Sequence, residues 1–382
     1  MKDRKSILFI YDHMDKLGGI QRLISILANE FVRQGFSVIL LSKNGPTNFK
    51  FDFPGRIYKY RMRKKPTWRS KIKTYFKIRC VFSKSHMIID FREKKSGDYI
   101  LKLGSKSWAK RKYVSCVSNS KIENYLSEPT QSNISQLRKI NRVICLTEDM
   151  QKAIHSKYGI TNTCVIQNPV DRESIDSQSK NENEISEKPY ILASGRFNSV
   201  KGFDLLLKAY SKSKLKSDGV RLVILGEGPE EAGLKELAKN LELVDLVQFK
   251  GFTKKPYLYS KNALFFVLAS RHEAFGNVLI ENLYCGTPVI SFNCLMGPRY
   301  IINHRHNGLL VEPFNRQELF DYEENRLVRE EDINSLREAI DTLYSDKNLY
   351  QRLKANSKNS VEHLSLEKIL KQWLDLVDKQ IS

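Results

Sequence analysis

The chain has 382 residues, 41% of them hydrophobic, with six cysteines and a formal net charge of +21. That length exceeds what one hydrophobic core usually holds, and the apolar share excludes general disorder. No cysteines have C-x-x-C or zinc-site spacing, no run approaches the roughly 18 apolar residues that span a bilayer, and the apolar run after Ser6 is too short for a signal peptide. A cytoplasmic chain with free thiols, soluble or peripheral on a membrane, is the expectation.

Short apolar runs alternate with helical patterns from end to end. Strands are predicted at Ile7–Tyr11, Ser37–Leu41, Met87–Phe91, Tyr113–Val117, Arg142–Leu146 and Cys164–Ile166. A second series follows at Tyr190–Ala193, Val220–Leu225, Val247–Lys250, Leu264–Leu268, Pro288–Phe292 and Gly308–Val311. Helical patterns between them include Ile20–Arg33, Gly202–Ser211, Glu230–Asn240 and Asn277–Cys285. This alternation predicts an α/β protein with two doubly wound parallel sheets, each covered on both faces. The polar segment Asp171–Lys188 lacks apolar periodicity and reads as a linker or surface loop. The boundary is therefore placed at Asn168-Pro169, giving domains 1–168 and 169–364. A last amphipathic pattern, 365–382, carries Leu366, Ile369, Leu370, Trp373 and Val377 on one face and is assigned to the first domain.

The charge is uneven. From Lys50 to Lys112 there are 21 lysines and arginines against four acids, a net of +17, which leaves +4 for the rest of the chain. Charge this localised points to an anionic partner, although a merely solvated basic surface gives the same pattern. Pro66-Thr67-Trp68-Arg69-Ser70-Lys71 mixes cations with apolar and aromatic residues, as interfacial segments do. An anionic membrane surface, or a lipid-linked or phosphate-rich glycan acceptor, is the expected partner of the region 50–112. Nucleic acid is not, because no recognition module or stacking platform is visible.

In open α/β sheets, ligands bind beyond the carboxyl ends of the strands, so post-strand loops are the places to search. Gly18-Gly19 follows the first strand and opens a helix, which suits either close backbone approach to an anion or an ordinary tight turn. Ser194-Gly195-Arg196-Phe197-Asn198-Ser199-Val200-Lys201-Gly202 places two cations in one post-strand loop. A guanidinium fork and an ammonium together suit a diphosphate. Ser270-Arg271-His272-Glu273-Ala274-Phe275-Gly276-Asn277 leads into a helix whose free N–H groups and dipole favour a phosphate or sugar oxygen. Glu281 is four residues past Asn277, on the same helix face, where a carboxylate can accept from a ribose diol.

These pieces, with Asn168-Pro169-Val170, Gly226-Glu227-Gly228-Pro229, Gly286-Thr287-Pro288-Val289-Ile290 and Gly308-Leu309-Leu310-Val311, resemble the family 4 retaining glycosyltransferases of GT-B fold. The resemblance runs along nearly the whole chain and is dense from Tyr190 to Pro313. It implies two Rossmann-like domains facing each other across a cleft, with the nucleotide-sugar, a UDP-sugar, held by the second and the acceptor by the first. It implies that Arg196 and Lys201 bind the donor diphosphate and Glu273 the transferred sugar, with Gly195 and the backbone around Phe275, Gly276 and Asn277 assisting. Glu281 would bind the ribose, Phe252 would border the base, and Gly19 would let the first domain approach the phosphates. The terminal helix would cross back to the first domain. Neither metal nor cofactor is implied, and no Asp-x-Asp occurs among the loop motifs. The pattern departs at Ser118, which stands with Asn119 where many relatives carry a histidine near the sugar. A catalytically silent subunit that binds sugar or a partner protein therefore remains an alternative to a hexosyl- or N-acetylhexosaminyltransferase of cell-envelope polysaccharide synthesis.

Overall fold

The computed structural model describes residues 5–14, 18–43, 53–60, 67–94, 98–106, 112–118, 122–126, 130–179, 189–294, 296–315 and 329–378. It divides into two compact units, Met1–Pro169 with Glu367–Ser382, and Val170–Leu366.

The first unit is built on parallel strands β1 (Ser6–Ile10), β2 (Ser37–Ser42), β3 (Arg56–Lys59), β4 (Met87–Asp90), β5 (Tyr113–Cys116), β6 (Arg142–Cys145) and β7 (Thr163–Val165), in spatial order β3-β2-β1-β4-β5-β6-β7. Ile7 to Ile10 of β1 are wholly buried. A strand covered on both faces needs a continuous apolar run rather than an alternating one, and Ile-Leu-Phe-Ile supplies it. Helix α1 (Gly19–Arg33) follows β1 and buries Leu23, Ile24, Leu27, Ala28 and Phe31, the stripe that helical spacing dictates. Helix α2 (Trp68–Ser83) and strand β3 lie in the part of the basic region that precedes Met87, where no element was predicted.

The second unit carries β8 (Tyr190–Ser194), β9 (Arg221–Leu225), β10 (Val247–Phe249), β11 (Phe266–Leu268), β12 (Val289–Phe292) and β13 (Gly308–Val311), in spatial order β10-β9-β8-β11-β12-β13, all parallel. Its helices include α3 (Arg172–Gln178), α4 (Phe203–Ser211), α5 (Glu231–Asn240) and α6 (Asn277–Tyr284). Helix α7 (Leu366–Asp378) ends the described chain, with Ile369, Leu370, Trp373 and Val377 buried.

Helix α3 corrects the first part of the reading of Asp171–Lys188 as a linker or surface loop, and residues 180–188 lie outside the described residues. Asp171 caps it by accepting from the Ser174 N–H at 3.1 Å, and Ile175 is its one buried residue. Polar contacts do the docking that apolar periodicity would normally announce. The Tyr284 hydroxyl donates to Asp176 at 2.9 Å, and the Arg172 guanidinium lies 5.6 Å from the Tyr284 ring.

Strand order reverses once in each sheet, between β1 and β4 and between β8 and β11. Adjacent loops diverge at such a switch point and leave a crevice at the strands' carboxyl ends. In the second unit the two diverging loops are those that carry Arg196, Lys201 and Glu273.

Candidate active site

Beyond β8 the chain passes through Gly195 to Asn198, makes one 3-10 turn at Ser199–Lys201, and enters α4 at Gly202. Gly202 is needed for two reasons. Its φ of +62° is left-handed, and a Cβ there would stand 2.0 Å from the Ala269 carbonyl oxygen. This close approach lays the post-β8 loop against the post-β11 loop.

Arg271 binds the two loops together. Its backbone N–H donates to the Val200 carbonyl at 2.8 Å. Its guanidinium donates to the Ser199 carbonyl at 2.6 Å and, in bidentate fashion, to Asp204 at 2.9 and 2.7 Å. The Arg271 side chain is 1% exposed. A cation so buried is stable only when paired and hydrogen-bonded, and the short fork to Asp204 meets that condition.

With the loops so held, the Lys201 ammonium donates to the Glu273 carboxylate. Ser270 Oγ donates to Oε1 of the same carboxylate at 3.0 Å. Glu273 also makes a single parallel bridge with Met296, which holds a left-handed φ of +84°. A Cβ on Gly297 would meet the Phe275 carbonyl oxygen at 2.4 Å, so the post-β12 loop is pressed against the same place. Non-glycine residues take such conformations where surrounding contacts over-determine them, commonly at functional sites.

Gly276, at φ +101°, provides no side-chain cap for α6, whose first residue is Asn277. Phe275 and Gly276 are buried, while Asn277 and Glu281 are half-buried. The charge of Glu281 reaches Cys285, whose thiol is pushed up to about 12 by burial first and by Glu281 second. Arg196 is exposed and has no ion pair among the described residues. The Phe252 ring is half exposed, and its backbone N–H donates to Glu227 Oε1 at 3.2 Å. The Glu227 carbonyl in turn accepts from the Phe197 N–H at 2.9 Å, and Gly195 N–H donates to Leu225 O at 3.0 Å. The structure thus gathers Gly195, Arg196, Lys201, Phe252, Glu273, Phe275, Gly276 and Asn277 on linked loops of one unit, with Glu281 one turn along α6.

The remaining predicted residues are on the first unit. Gly19 is the first residue of α1. Near it in the sequence, the Gln21 side-chain amide donates to the His13 carbonyl at 2.7 Å. Ser118 follows β5 and is half-buried, whereas Asn119 lies outside the described residues. Sequence reasoning missed the charge cluster after β4. There Asp90 takes a bidentate contact from Arg92 at 3.1 and 2.7 Å and an ion pair from the wholly buried Lys94 at 3.1 Å. Burial alone would raise the Asp90 pKa, but Arg92 and then Lys94 hold the carboxyl at about 2. Arg271 and Asp204 were also missed as partners. A cation three residues beyond a buried strand, within Leu-Ala-Ser-Arg, demands an acid, and that requirement was the available signal.

Residues 174–322 match the family model described as Glycosyl transferases group 1. Over that stretch the chain is similar to the group 1 glycosyltransferases. An uncharacterized glycosyltransferase of Haemophilus influenzae is 27% identical over 381 residues, covering 97% of this chain and 99% of that one. An N-acetylgalactosamine-N,N'-diacetylbacillosaminyl-diphospho-undecaprenol 4-alpha-N-acetylgalactosaminyltransferase of Campylobacter jejuni is 37% identical over 156 residues, 41% of this chain and 42% of that one. Among solved structures, Anabaena HepE in complex with UDP and glucose superposes with a TM-score of 0.74 at 18% identity, covering 98% of this chain and 100% of that one. At that identity the likeness is one of fold. The two parallel sheets of this chain are those of GT-B.

Proposed function

We propose that this protein is a group 1 glycosyltransferase that moves a hexosyl or N-acetylhexosaminyl group from a UDP-sugar, with retention of configuration, onto an anionic or lipid-linked glycan of a cell-envelope polysaccharide. The work is done at the cytoplasmic face of the plasma membrane, without metal or cofactor. The observation that carries this reading is the cluster at the β8/β11 switch point, where Arg196, Lys201, Glu273 and the uncapped start of α6 meet on adjoining loops. One guanidinium, one ammonium and a helix N-terminus match the charge of a departing nucleoside diphosphate.

In this mechanism the acceptor hydroxyl oxygen bonds to the anomeric carbon on the face that the diphosphate leaves. The carbon–oxygen bond to the diphosphate breaks, and the hydroxyl proton passes to a phosphate oxygen of that leaving group. Arg196 and Lys201 neutralise the phosphates. Glu273, held by Ser270, accepts hydroxyl hydrogens of the sugar and orients it. Glu281 takes the ribose diol and Phe252 borders the base. Support for UDP comes from the HepE complex, and for a lipid-diphosphate acceptor from the name of the Campylobacter relative. Ser118, half-buried after β5 at the position the family resemblance gives to a histidine, supports a second reading, in which the donor binds and is not turned over.

A thermal-shift screen of UDP- and GDP-sugars, followed by hydrolysis of the stabilising one, tests both. The expected result is stabilisation by a UDP-sugar, with hydrolysis reduced about 100-fold or more in Arg196→Gln/Lys201→Gln. Unchanged affinity and turnover in that variant would defeat the proposal. Stabilisation with no turnover, even with an acceptor extract, would establish the silent reading.

A further inference from the structure

Helix α2 presents two apolar faces, and among the described residues only one of them is packed into the core. Ile78, Val81 and Phe82 are buried, with Phe82 5.9 Å from the Tyr113 ring. Trp68, Ile72 and Phe76 lie off that buried face and are 67%, 45% and 59% exposed, and Tyr75, at the border of the two faces, is 37% exposed. At about 100° per residue these four fall within an arc of roughly 100°, some 12 Å long from Trp68 to Phe76. Tyr75 and Phe76 pack edge to face at 5.6 Å, so the stripe is a continuous surface rather than scattered residues. Arg69 and Lys73, both exposed, follow it along one flank, and Arg69 lies 5.7 Å from the Trp68 ring. Lys77 serves the fold instead, since its ammonium donates to the Lys59 carbonyl at 3.0 Å and ties α2 to the edge strand β3.

From residue 68 to 83 the sequence has Arg69, Lys71, Lys73, Lys77 and Arg79 and no acid. The surrounding basic stretch does not lose its imbalance to the interior. Its buried members pair off, Arg92 and Lys94 with Asp90 and Asp98. A second copy of this chain would therefore meet like charge at this face, which disfavours self-association. An anionic bilayer offers what the face lacks, a negative surface with an apolar layer just beneath it. Tryptophan and tyrosine place an apolar body and a polar tip at such a boundary, and arginine and lysine keep their heads among lipid phosphates.

We propose that α2 is the element by which the first unit docks on a membrane, with Trp68, Ile72 and Phe76 entering the headgroup layer of an anionic bilayer and Arg69 and Lys73 held by its phosphates. This rests on the membrane-side acceptor reading above and is independent of the donor chemistry.

The test is sedimentation of the full chain with vesicles of phosphatidylcholine alone or mixed with phosphatidylglycerol, at low and raised salt. The intact chain is expected to bind the mixed vesicles and not the neutral ones. Arg69→Gln/Lys73→Gln should lose about fivefold in binding for each cation removed. Trp68→Ser/Phe76→Ser should keep only weak binding that salt abolishes. Because these side chains are exposed, both variants should melt with the intact chain and hydrolyse the UDP-sugar at its rate without vesicles. That control separates a failure of docking from a failure of the donor reading. Equal binding to neutral and anionic vesicles would overturn the proposal, as would full binding by Trp68→Ser/Phe76→Ser. So would concentration-dependent association that this variant abolishes in the absence of vesicle binding, since it would assign the stripe to a second copy.

Discussion

Replacing Arg271 by methionine preserves most of the side chain's length and deletes its charge. The loss includes both donors to Asp204 and the one to the Ser199 carbonyl. Arg271 is 1% and Asp204 26% exposed, so the orphaned carboxylate retains some water. Breaking a fully buried pair costs about 3–5 kcal/mol, and partial solvation reduces that here to about 2–4 kcal/mol. A folding unit of this size loses about 2–4 °C in melting temperature per kcal/mol, so the second unit should melt roughly 4–16 °C lower. The chemistry should suffer beyond this, because Arg271 holds the loop bearing Lys201 against the loop bearing Glu273. At a temperature where Arg271→Met is still folded, UDP-sugar turnover should fall about tenfold or more. Calorimetry with and without UDP, together with turnover, measures both effects. Asp204→Asn should be less damaging on the Arg271→Met background than on the intact one, since the two residues act as a pair. A melting temperature within a degree of the intact chain, with unchanged turnover, would refute the reasoning.

The other predictions test separate parts of the same structure. Gly202→Ala puts a Cβ 2.0 Å from the Ala269 carbonyl oxygen at a φ of +62°. It should cost about 1–3 kcal/mol in denaturant unfolding and reduce turnover with it, and a neutral result would mean the two loops can separate freely. Glu273→Gln removes the charge that engages Lys201. By calorimetric titration its UDP affinity should hold or rise while transfer falls at least about tenfold, whereas UDP affinity falling in step with transfer would place Glu273 on the nucleotide. Asp90→Asn leaves Arg92 and Lys94 buried without their shared counter-charge, at a cost of about 3–5 kcal/mol near neutral pH. The folded Asp90 carboxyl is held at about 2, below an unfolded value of about 3.9. Its stabilisation is therefore complete above the unfolded value and lost as pH falls through the folded one. The stability gap between the intact chain and the variant should shrink from pH 4 to pH 2 on denaturant titration, and a gap that widens there would reverse the assignment.

What the sequence disclosed about the fold depended on how one-sided each element is. The buried strands read directly because two-sided burial leaves an uninterrupted apolar run, as in Ile7–Ile10. Strand β3 did not. Arg-Ile-Tyr-Lys is an edge strand paired only with β2, and it ends in the cations that suit an exposed edge. Helix α2 was hidden for the opposite reason. Its buried stripe of Ile78, Val81 and Phe82 and its exposed stripe of Trp68, Ile72 and Phe76 occupy different faces, so the apolar positions do not show one helical period. Helix α3 is docked by Arg172 and Asp176 on Tyr284, polar contacts that leave no hydrophobic pattern to read.

The candidate site was legible in its ends and illegible in its middle. Glycines after strands, and cations and acids at family spacing, drew notice to Arg196, Lys201, Glu273 and the start of α6. Spacing could not show that Lys201 and Glu273 form a pair while Arg196 has none among the described residues. That contrast divides their roles. In the proposed mechanism an incoming diphosphate would meet at Arg196 a guanidinium with no competing carboxylate among the described residues, and at Lys201 would share an ammonium already engaged by Glu273. Arg196 therefore suits first capture of the donor. Lys201 can transfer its interaction from Glu273 to the phosphates as negative charge builds on them, so part of its contribution is withheld until the bond breaks. Binding energy released at that stage accelerates the reaction, whereas the same energy released on association would only tighten binding.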